Sequence, residues 1–259
     1  MGIFKGNFYS SSLKMTTSVN VIFPEHSNDV DPVIEGEPKV LYLLHGLSGN
    51  ADEWLRFSKI EYYAKKYNFV IIMPEVQRSF YCNIKNGVNY FDYVAYELPK
   101  ICSKWFNINT VRENTFIAGE SMGGYGAMKI GLSLPNQYEA IASLSGVLDY
   151  EAFKKMIIDG EWPDMKKEEL DILDDTITPI SLISKVAKLE NHPRIIQLCG
   201  REDFLYLHNQ NFKKIIEKED YDYLYLEDEG DHEWPYWDKA IQYAFMFFLK
   251  LDMKKTPIY

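Results

Sequence analysis

A serine flanked by glycines lies near the middle of the chain, in the run GESMG at positions 119 to 123. The apolar residues before it predict a buried strand, and the residues at 122 to 134 have the spacing of a helix. This is the context that the G-x-S-x-G turn requires, because small neighbours let a serine occupy a sharp bend that holds its hydroxyl out at the sheet edge. The pattern therefore predicts Ser121 as a nucleophile. A phosphate-binding loop does not fit, since neither the Lys-Ser or Lys-Thr of a P-loop nor a G-x-G-x-x-G is present there.

A serine nucleophile needs a base within hydrogen-bond reach, and histidine titrates nearest to neutral pH. In folds with this turn the chain order is serine, then acid, then histidine, which leaves His192, His208 and His232 of the five histidines. His192 precedes a predicted strand and lies at its wrong end, and His208 falls in the helix that follows. His232 comes after the last predicted strand, in the loop DEGDHEW, and is the predicted base.

The acid that orients the imidazole is expected at the end of the strand that precedes the strand of the histidine. Asp203 occupies that position, just after RIIQLCG, and is the predicted acid. Its neighbour Glu202 could take the same role, and either side chain could instead cap the next helix. The predicted triad is therefore Ser121, His232 and Asp203, with Glu202 as the alternative acid.

Attack on a carbonyl carbon creates a negative oxygen, which needs two N–H donors. The helix after the nucleophile supplies one donor, the amide of Met122, and the loop after an earlier strand supplies the other. The segment VLYLLHGLSGNADEW contains that loop, and the Leu47 amide is the predicted second donor. His45 precedes the serine in the chain, so we expect it to be a buried residue that shapes the loop and not a proton carrier.

Four aromatic residues lie in loops at the predicted active edge: Trp54, Tyr81, Trp162 and Trp234. Aromatic side chains often line ligand pockets, although they serve more often as core or cap packing. We predict these four as candidate substrate-binding residues.

Short apolar runs bounded by turn residues alternate with segments of helical spacing. The runs are KVLYLLHG, FVIIMPE, TFIAGE, AIASLSG, RIIQLCG and YLYLEDEG, and the helical segments are 52–67, 90–105, 122–134, 206–218 and 235–250. Such alternation is typical of a parallel, doubly wound sheet whose strands are buried on both faces. NFYSSSL and TTSVNVIFP add an N-terminal antiparallel hairpin, which gives about eight strands. Residues 25 to 38 are predicted as a surface loop.

Residues 147 to 190 interrupt this alternation of strands and helices, because they are charged, weakly periodic and broken by Pro163 and Pro179. We interpret them as an insertion or cap over the carboxyl edge of the sheet, where open α/β folds bind ligands. A chain of 259 residues with 46% hydrophobic content can form one core. Residues 1 to 259 are therefore predicted to form a single α/β domain with this small cap.

Composition and charge limit the classes of molecule that the protein is expected to bind. A net charge of −10 repels phosphate backbones and anionic lipid, so nucleic acid and membranes are not expected, and a small neutral molecule is. No apolar run reaches the roughly 18 to 20 residues of a transmembrane helix. The first residues lack the apolar core of a secretion signal, which favours a cytoplasmic location. The three cysteines lack C-x-x-C spacing, so neither a metal site nor a disulfide framework is expected.

Together, these segments resemble the esterase D family of α/β-hydrolases, most closely its bacterial tributyrin-esterase branch. The matching pieces are LLHGLSGNADEW, the ELP-containing helix before FIAGESMGGYGAMKIGL, REDFL and GDHEWPYWDKAI, which span nearly the whole chain. The resemblance implies the α/β-hydrolase fold and hydrolysis of short-chain acyl esters without a cofactor. The resemblance also implies that S-formylglutathione hydrolases, acetyl and feruloyl esterases and mycolyltransferases are relatives. Glu120 departs from the pattern, since some relatives carry His or Leu there.

The predicted triad indicates a serine hydrolase that forms an acyl-enzyme, and the resemblance implies a carboxylesterase that hydrolyses acetyl to butyryl esters. Carbohydrate acetyl or feruloyl esters, a glutathione thioester, and acyl transfer to a second alcohol stay open as alternatives, because one triad serves all of them. A binding module that only inherited the fold would be expected to lack part of the triad, and no member is missing. The resemblance also admits a homo-oligomer.

Overall fold

Eight strands form one mixed sheet in the part of the chain that the computed structural model describes, residues 2–25 and 32–254. The strand order across the sheet is β1-β2-β4-β3-β5-β6-β7-β8. In chain order the strands are β1 Gly2–Ser10, β2 Met15–Phe23, β3 Lys39–Leu44, β4 Phe69–Pro74, β5 Thr115–Glu120, β6 Ala140–Leu144, β7 Arg194–Gly200 and β8 Tyr223–Asp228. Part of the predicted surface loop, residues 26 to 31, lies outside the described residues.

The sheet is parallel from β4 to β8 and antiparallel at its N-terminal edge. β1 and β2 pair as a hairpin with Gly2 opposite Phe23 and Ser10 opposite Met15. β2 then pairs antiparallel with β4, and all remaining neighbours are parallel. Parallel neighbours need crossover connections, which here contain helices. The predicted fold class, a mostly parallel doubly wound sheet with an N-terminal hairpin, is confirmed.

The helices occupy the segments between the strands. In chain order they are α1 Glu53–Phe57, α2 Ile60–Tyr67, α3 Tyr90–Asp92, α4 Leu98–Phe106, α5 Met122–Ser133, α6 Tyr150–Ile158, α7 Lys167–Asp171, α8 Pro179–Val186, α9 Tyr206–Ile216 and α10 Trp234–Phe248. The helix predicted at 52–67 is two helices, because the Ser58 hydroxyl bonds the Trp54 carbonyl and accepts the Ile60 amide. A π-helical turn at Tyr93–Glu97 interrupts the segment 90–105 just before Pro99, which has no N–H to continue the ladder.

Hydrophobic side chains form two clusters, one on each face of the sheet. One cluster packs the sheet against the central helix α5, and the other packs it against α2 and α10. Strands β3 to β7 are buried along nearly their whole length. The expectation that YLYLEDEG is buried on both faces is wrong, since β8 is the edge strand and its residues are half-buried or exposed.

The segment predicted as a cap, 147 to 190, lies between β6 and β7 and contains the helices α6, α7 and α8. It packs on the loop after β4, where Ile84 pairs with Leu173 as an isolated bridge. The Arg78 guanidinium adds a hydrogen bond to Glu169 at 2.8 Å. These contacts hold the segment beside the carboxyl ends of the parallel strands.

Candidate active site

Ser121, His232 and Asp203 meet at the carboxyl edge of the sheet. The Ser121 Oγ lies 2.9 Å from His232 Nε2, and His232 Nδ1 lies 2.9 Å from Asp203 Oδ2 and 3.0 Å from Oδ1. A carboxylate only accepts hydrogen bonds, so Nδ1 carries the proton that is donated to Asp203 and Nε2 is left to accept the serine hydroxyl. The three groups are thus arranged as nucleophile, base and orienting acid.

The nucleophile occupies a strained turn between β5 and α5. Ser121 has φ 53° and ψ −118°, a conformation that L-residues rarely adopt. A Cβ on Gly119 would lie 2.4 Å from the Gly123 carbonyl carbon, and a Cβ on Gly123 would lie 2.4 Å from the Leu44 oxygen. Neither contact is sterically allowed, so both glycines are needed for the strand and the helix to approach this closely. The strain and the glycines hold the hydroxyl beyond the end of β5.

The two adjacent acids after β7 have different partners. Asp203 is fully buried and accepts the Leu205 amide at Oδ1, 2.8 Å, in addition to His232. The alternative acid, Glu202, instead accepts the Gly230 amide at 2.7 Å, while its own amide bonds the Gly230 carbonyl. Glu202 therefore fastens the loop that carries His232, and Asp203 contacts the imidazole.

The two backbone amides predicted to hold the oxyanion come from α5 and from the loop after β3. Met122 is the first residue of α5, so its N–H belongs to the helix turn that has no intrahelical acceptor. Leu47 lies in the loop after β3 and lines the cavity beside Ser121. His45 stays buried behind this loop, where Nε2 accepts the Val76 amide at 3.2 Å and Nδ1 lies 2.8 Å from the Gly46 carbonyl. Burial lowers the pKa of His45, which suits a neutral structural imidazole.

Glu120, beside the nucleophile, points into the same site and is only 3% exposed. The Gly46 amide donates a hydrogen bond to its carboxyl group. A Cβ on Gly46 would lie 2.5 Å from Glu120 Oε2, so the carboxyl group fills the space that a side chain at 46 would need. Burial raises the pKa of Glu120 well above its ordinary value. The sequence did not reveal which way this side chain faces.

A cavity of about 280 Å³ opens beside Ser121. Its lining residues are Gly46, Leu47, Ser48, Gly49, Glu53, Glu120, Ser121, Trp162, Asp164, His232, Trp234 and Trp237. Trp162 and Trp234, two of the four predicted pocket aromatics, are among them. No described lining residue is a lysine or an arginine.

Trp54 and Tyr81 do not line this cavity, and the structure corrects their predicted contact with substrate. Trp54 is 1% exposed because its indole N–H donates to the Leu44 carbonyl and its ring packs edge-on against Trp234 at 5.1 Å. Tyr81 is fully buried, and its hydroxyl donates to the His45 carbonyl at 2.9 Å. Both side chains support the walls of the site from behind.

Sequence reasoning missed two aromatic residues next to the base. Trp237, on the first turns of α10, packs edge-on against the His232 ring at 4.9 Å and lines the cavity. The centroid of the Phe204 ring lies 4.6 Å from that of the His232 ring, and the Trp162 ring packs against Phe204 at 4.3 Å with a tilt of 33°. The cap segment thereby contacts the base through one intervening ring. The signal for Phe204 was its place next to Asp203.

Comparison with known proteins identifies the family of the chain. The family model described as putative esterase matches residues 10–248. The chain belongs to this esterase family. An acetyl esterase of Caldicellulosiruptor saccharolyticus is 32% identical, over 97% of this chain and all of the relative. The family and the serine at the site make the protein a serine ester hydrolase.

Solved structures of similar esterases superpose over nearly the whole chain. The substrate-bound fluorophosphonate-binding serine hydrolase F of Staphylococcus aureus is 31% identical with a TM-score of 0.83, covering 96% of this chain and 98% of that one. The S-formylglutathione hydrolase of Staphylococcus aureus is 31% identical with a TM-score of 0.82, and it covers the same shares of the two chains. A ferulic acid esterase at 20% identity and a TM-score of 0.78 shares the fold. None of the described helices is long and apolar enough to cross a membrane.

Proposed function

We propose that this esterase hydrolyses short-chain acyl esters, acetyl to butyryl, with Ser121 as nucleophile, His232 as base and Asp203 as the orienting acid. The observation that carries the proposal is the unbroken hydrogen-bond chain from Ser121 Oγ through His232 to Asp203, each link 2.9 to 3.0 Å long. The acetyl esterase relative supports the acyl size.

The geometry supports a two-step reaction. His232 Nε2 takes the proton of Ser121 as Oγ attacks the ester carbonyl, and the Met122 and Leu47 amides donate to the developing oxyanion. His232 then protonates the departing alcohol, which leaves an acyl-enzyme. Water activated by the same imidazole releases the acid and restores the serine. Asp203 stays ionised and stabilises the imidazolium in both steps.

Charge in the cavity bears on the alternatives. The glutathione moiety of a thioester is anionic, whereas the ionisable side chains that line the cavity besides His232 are the acids Glu53, Glu120 and Asp164. The described lining residues include no lysine or arginine to pair with an anion, so this site favours a neutral acyl ester over a glutathione conjugate. A carbohydrate acetyl ester fits the same chemistry, since indoles and carboxyl groups contact sugar faces and hydroxyls. A cytoplasmic location and self-association stay predictions from the sequence.

The test is hydrolysis of p-nitrophenyl acetate, butyrate and octanoate by the protein and its Ser121→Ala variant. We expect cleavage that declines with acyl length and a loss of roughly 10⁴-fold or more in kcat in the variant. Ser133→Ala is the matched control, because Ser133 ends the same helix and its hydroxyl has no hydrogen-bond partner among the described residues. It should keep full activity.

A fluorophosphonate probe gives an independent readout. It should add one covalent mass to the wild type and to Ser133→Ala, and none to Ser121→Ala. Equal inactivity of all three proteins on every ester, with no labelling, would refute the proposed function.

A further inference from the structure

Three carboxyl groups face the cavity beside Ser121: buried Glu120, half-buried Glu53 and exposed Asp164. Burial raises the pKa of Glu120, and the charge of Glu53 raises it further. Burial likewise raises the pKa of Glu53, against the opposing effect of Arg56. A positive charge placed in the cavity would stabilise the ionised forms of both carboxyl groups. Among the described residues that line the cavity, none is a lysine or an arginine that could supply this charge.

The other large groups of the wall are indoles. Trp162 and Trp234 are half-buried, and Trp237 is 6% exposed. An organic cation close to an indole is attracted by the ring quadrupole, and desolvation strengthens the attraction. No group of three or more His, Cys, Asp or Glu in residues 2–25 and 32–254 is placed to hold a metal ion. An organic cation thus fits the cavity better than a metal ion does.

The size of the cavity indicates which part of the ester would carry the positive charge. An acetyl group on Ser121 fills only a small part of the cavity of about 280 Å³. The rest of that space is left for the alcohol part of the ester. This step rests on the proposed function, which assigns a short acyl group.

We propose that the cavity selects acetyl esters by the charge of their alcohol, preferring a cationic ammonium alcohol to a neutral one of the same shape and disfavouring an anionic one. Glu53 and Asp164 act as specificity-determining residues, because they line the cavity without contacting the triad in any hydrogen bond that the described residues show.

The test compares three acetate esters: acetylcholine, its neutral isostere 3,3-dimethylbutyl acetate, and the acetate of 4-hydroxybutanoate. Release of acetate is measured at low ionic strength, where charge effects are least screened. We expect kcat/KM for acetylcholine to exceed that for the isostere by roughly tenfold, the size of a partly desolvated cation–π and carboxylate contact. The anionic ester should fall below the isostere by a similar factor.

Glu53→Gln and Asp164→Asn should each reduce several-fold the ratio of kcat/KM for acetylcholine to kcat/KM for the isostere. Glu113→Gln is the matched control, because Glu113 is exposed just before β5 and lies at the end of that strand opposite to Ser121. It removes the same charge and should keep the wild-type preference.

The outcomes separate this inference from the proposed function. Equal rates for acetylcholine and its isostere, with both hydrolysed by a Ser121-dependent reaction, would overturn the charge selection and leave the esterase function intact. A preference that Glu53→Gln, Asp164→Asn and Glu113→Gln all leave unchanged would overturn the assignment of Glu53 and Asp164. Failure of the wild-type protein to hydrolyse any neutral ester would instead refute the proposed function.

Discussion

Replacing Asp203 by asparagine should disable the base without changing its position. The Leu205 amide, 2.8 Å from Oδ1, fixes which side of an asparagine carries the oxygen. The amide NH₂ then takes the place of Oδ2, which lies 2.9 Å from His232 Nδ1. Oδ1 lies 3.0 Å from Nδ1 but already accepts the Leu205 amide, so the NH₂ donor at 2.9 Å favours the tautomer in which Nδ1 accepts and Nε2 carries the proton. In that tautomer Nε2 donates toward Ser121 and cannot accept its proton.

The expected loss follows from that tautomer. Asp203→Asn should lower kcat on p-nitrophenyl acetate by about 10⁴-fold, equivalent to roughly 5 kcal/mol of transition-state stabilisation. Glu202→Gln is the matched control, since the glutamine oxygen can still accept the Gly230 amide that Glu202 accepts at 2.7 Å. It should cost less than about tenfold, because the loop that carries His232 keeps its anchor.

The assay measures kcat and KM for both variants, with circular dichroism to confirm that each is folded. A loss in Glu202→Gln that matched or exceeded the loss in Asp203→Asn would show that the wrong acid had been assigned. Retention of more than a tenth of the wild-type kcat by Asp203→Asn would refute the tautomer argument itself.

Two further predictions concern stability and the cavity wall. Burial opposes ionisation of Glu97, but hydrogen bonds from Ser10, Ser11 and Ser12 lower its pKa from 4.5 to about 2. The ionised side chain therefore contributes about 1 to 2 kcal/mol to the free energy of unfolding at this partly solvated site. This stabilisation is present above pH 4.5 and is lost as pH falls toward 2. Urea unfolding should show Glu97→Gln less stable at pH 7 and nearly equal to wild type near pH 2, and an equal difference at both pH values would contradict this origin. Trp162→Ala should raise KM for p-nitrophenyl butyrate several-fold with little change in kcat, because part of the apolar wall of the cavity is lost. Trp105→Ala is the control. A fall in kcat alone in Trp162→Ala would instead indicate that Trp162 acts through Phe204 on His232.

Local sequence determined the features that depend on neighbours along the chain. Alternating apolar runs and helical spacings specify strands and helices because side-chain direction repeats every two or 3.6 residues. The glycines around Ser121 indicated the strained turn, because a Cβ at either position would collide with backbone. The order of serine, acid and histidine left His192, His208 and His232, and the position of each relative to the predicted strands selected His232, because catalytic residues lie at the carboxyl ends of the strands.

Only the tertiary structure decided which side chains face the cavity. Trp54 lies on α1 and Tyr81 in the loop after β4, yet both turn inward to donate to buried backbone carbonyls. Glu202 and Asp203 are neighbours of the same charge type, and the crossing of two loops beyond β7 and β8 gives one the Gly230 amide and the other the imidazole. Glu120 lies against Gly46 across two adjacent strands. Such contacts join residues distant in sequence, and local periodicity carries no information about which of them a fold brings together.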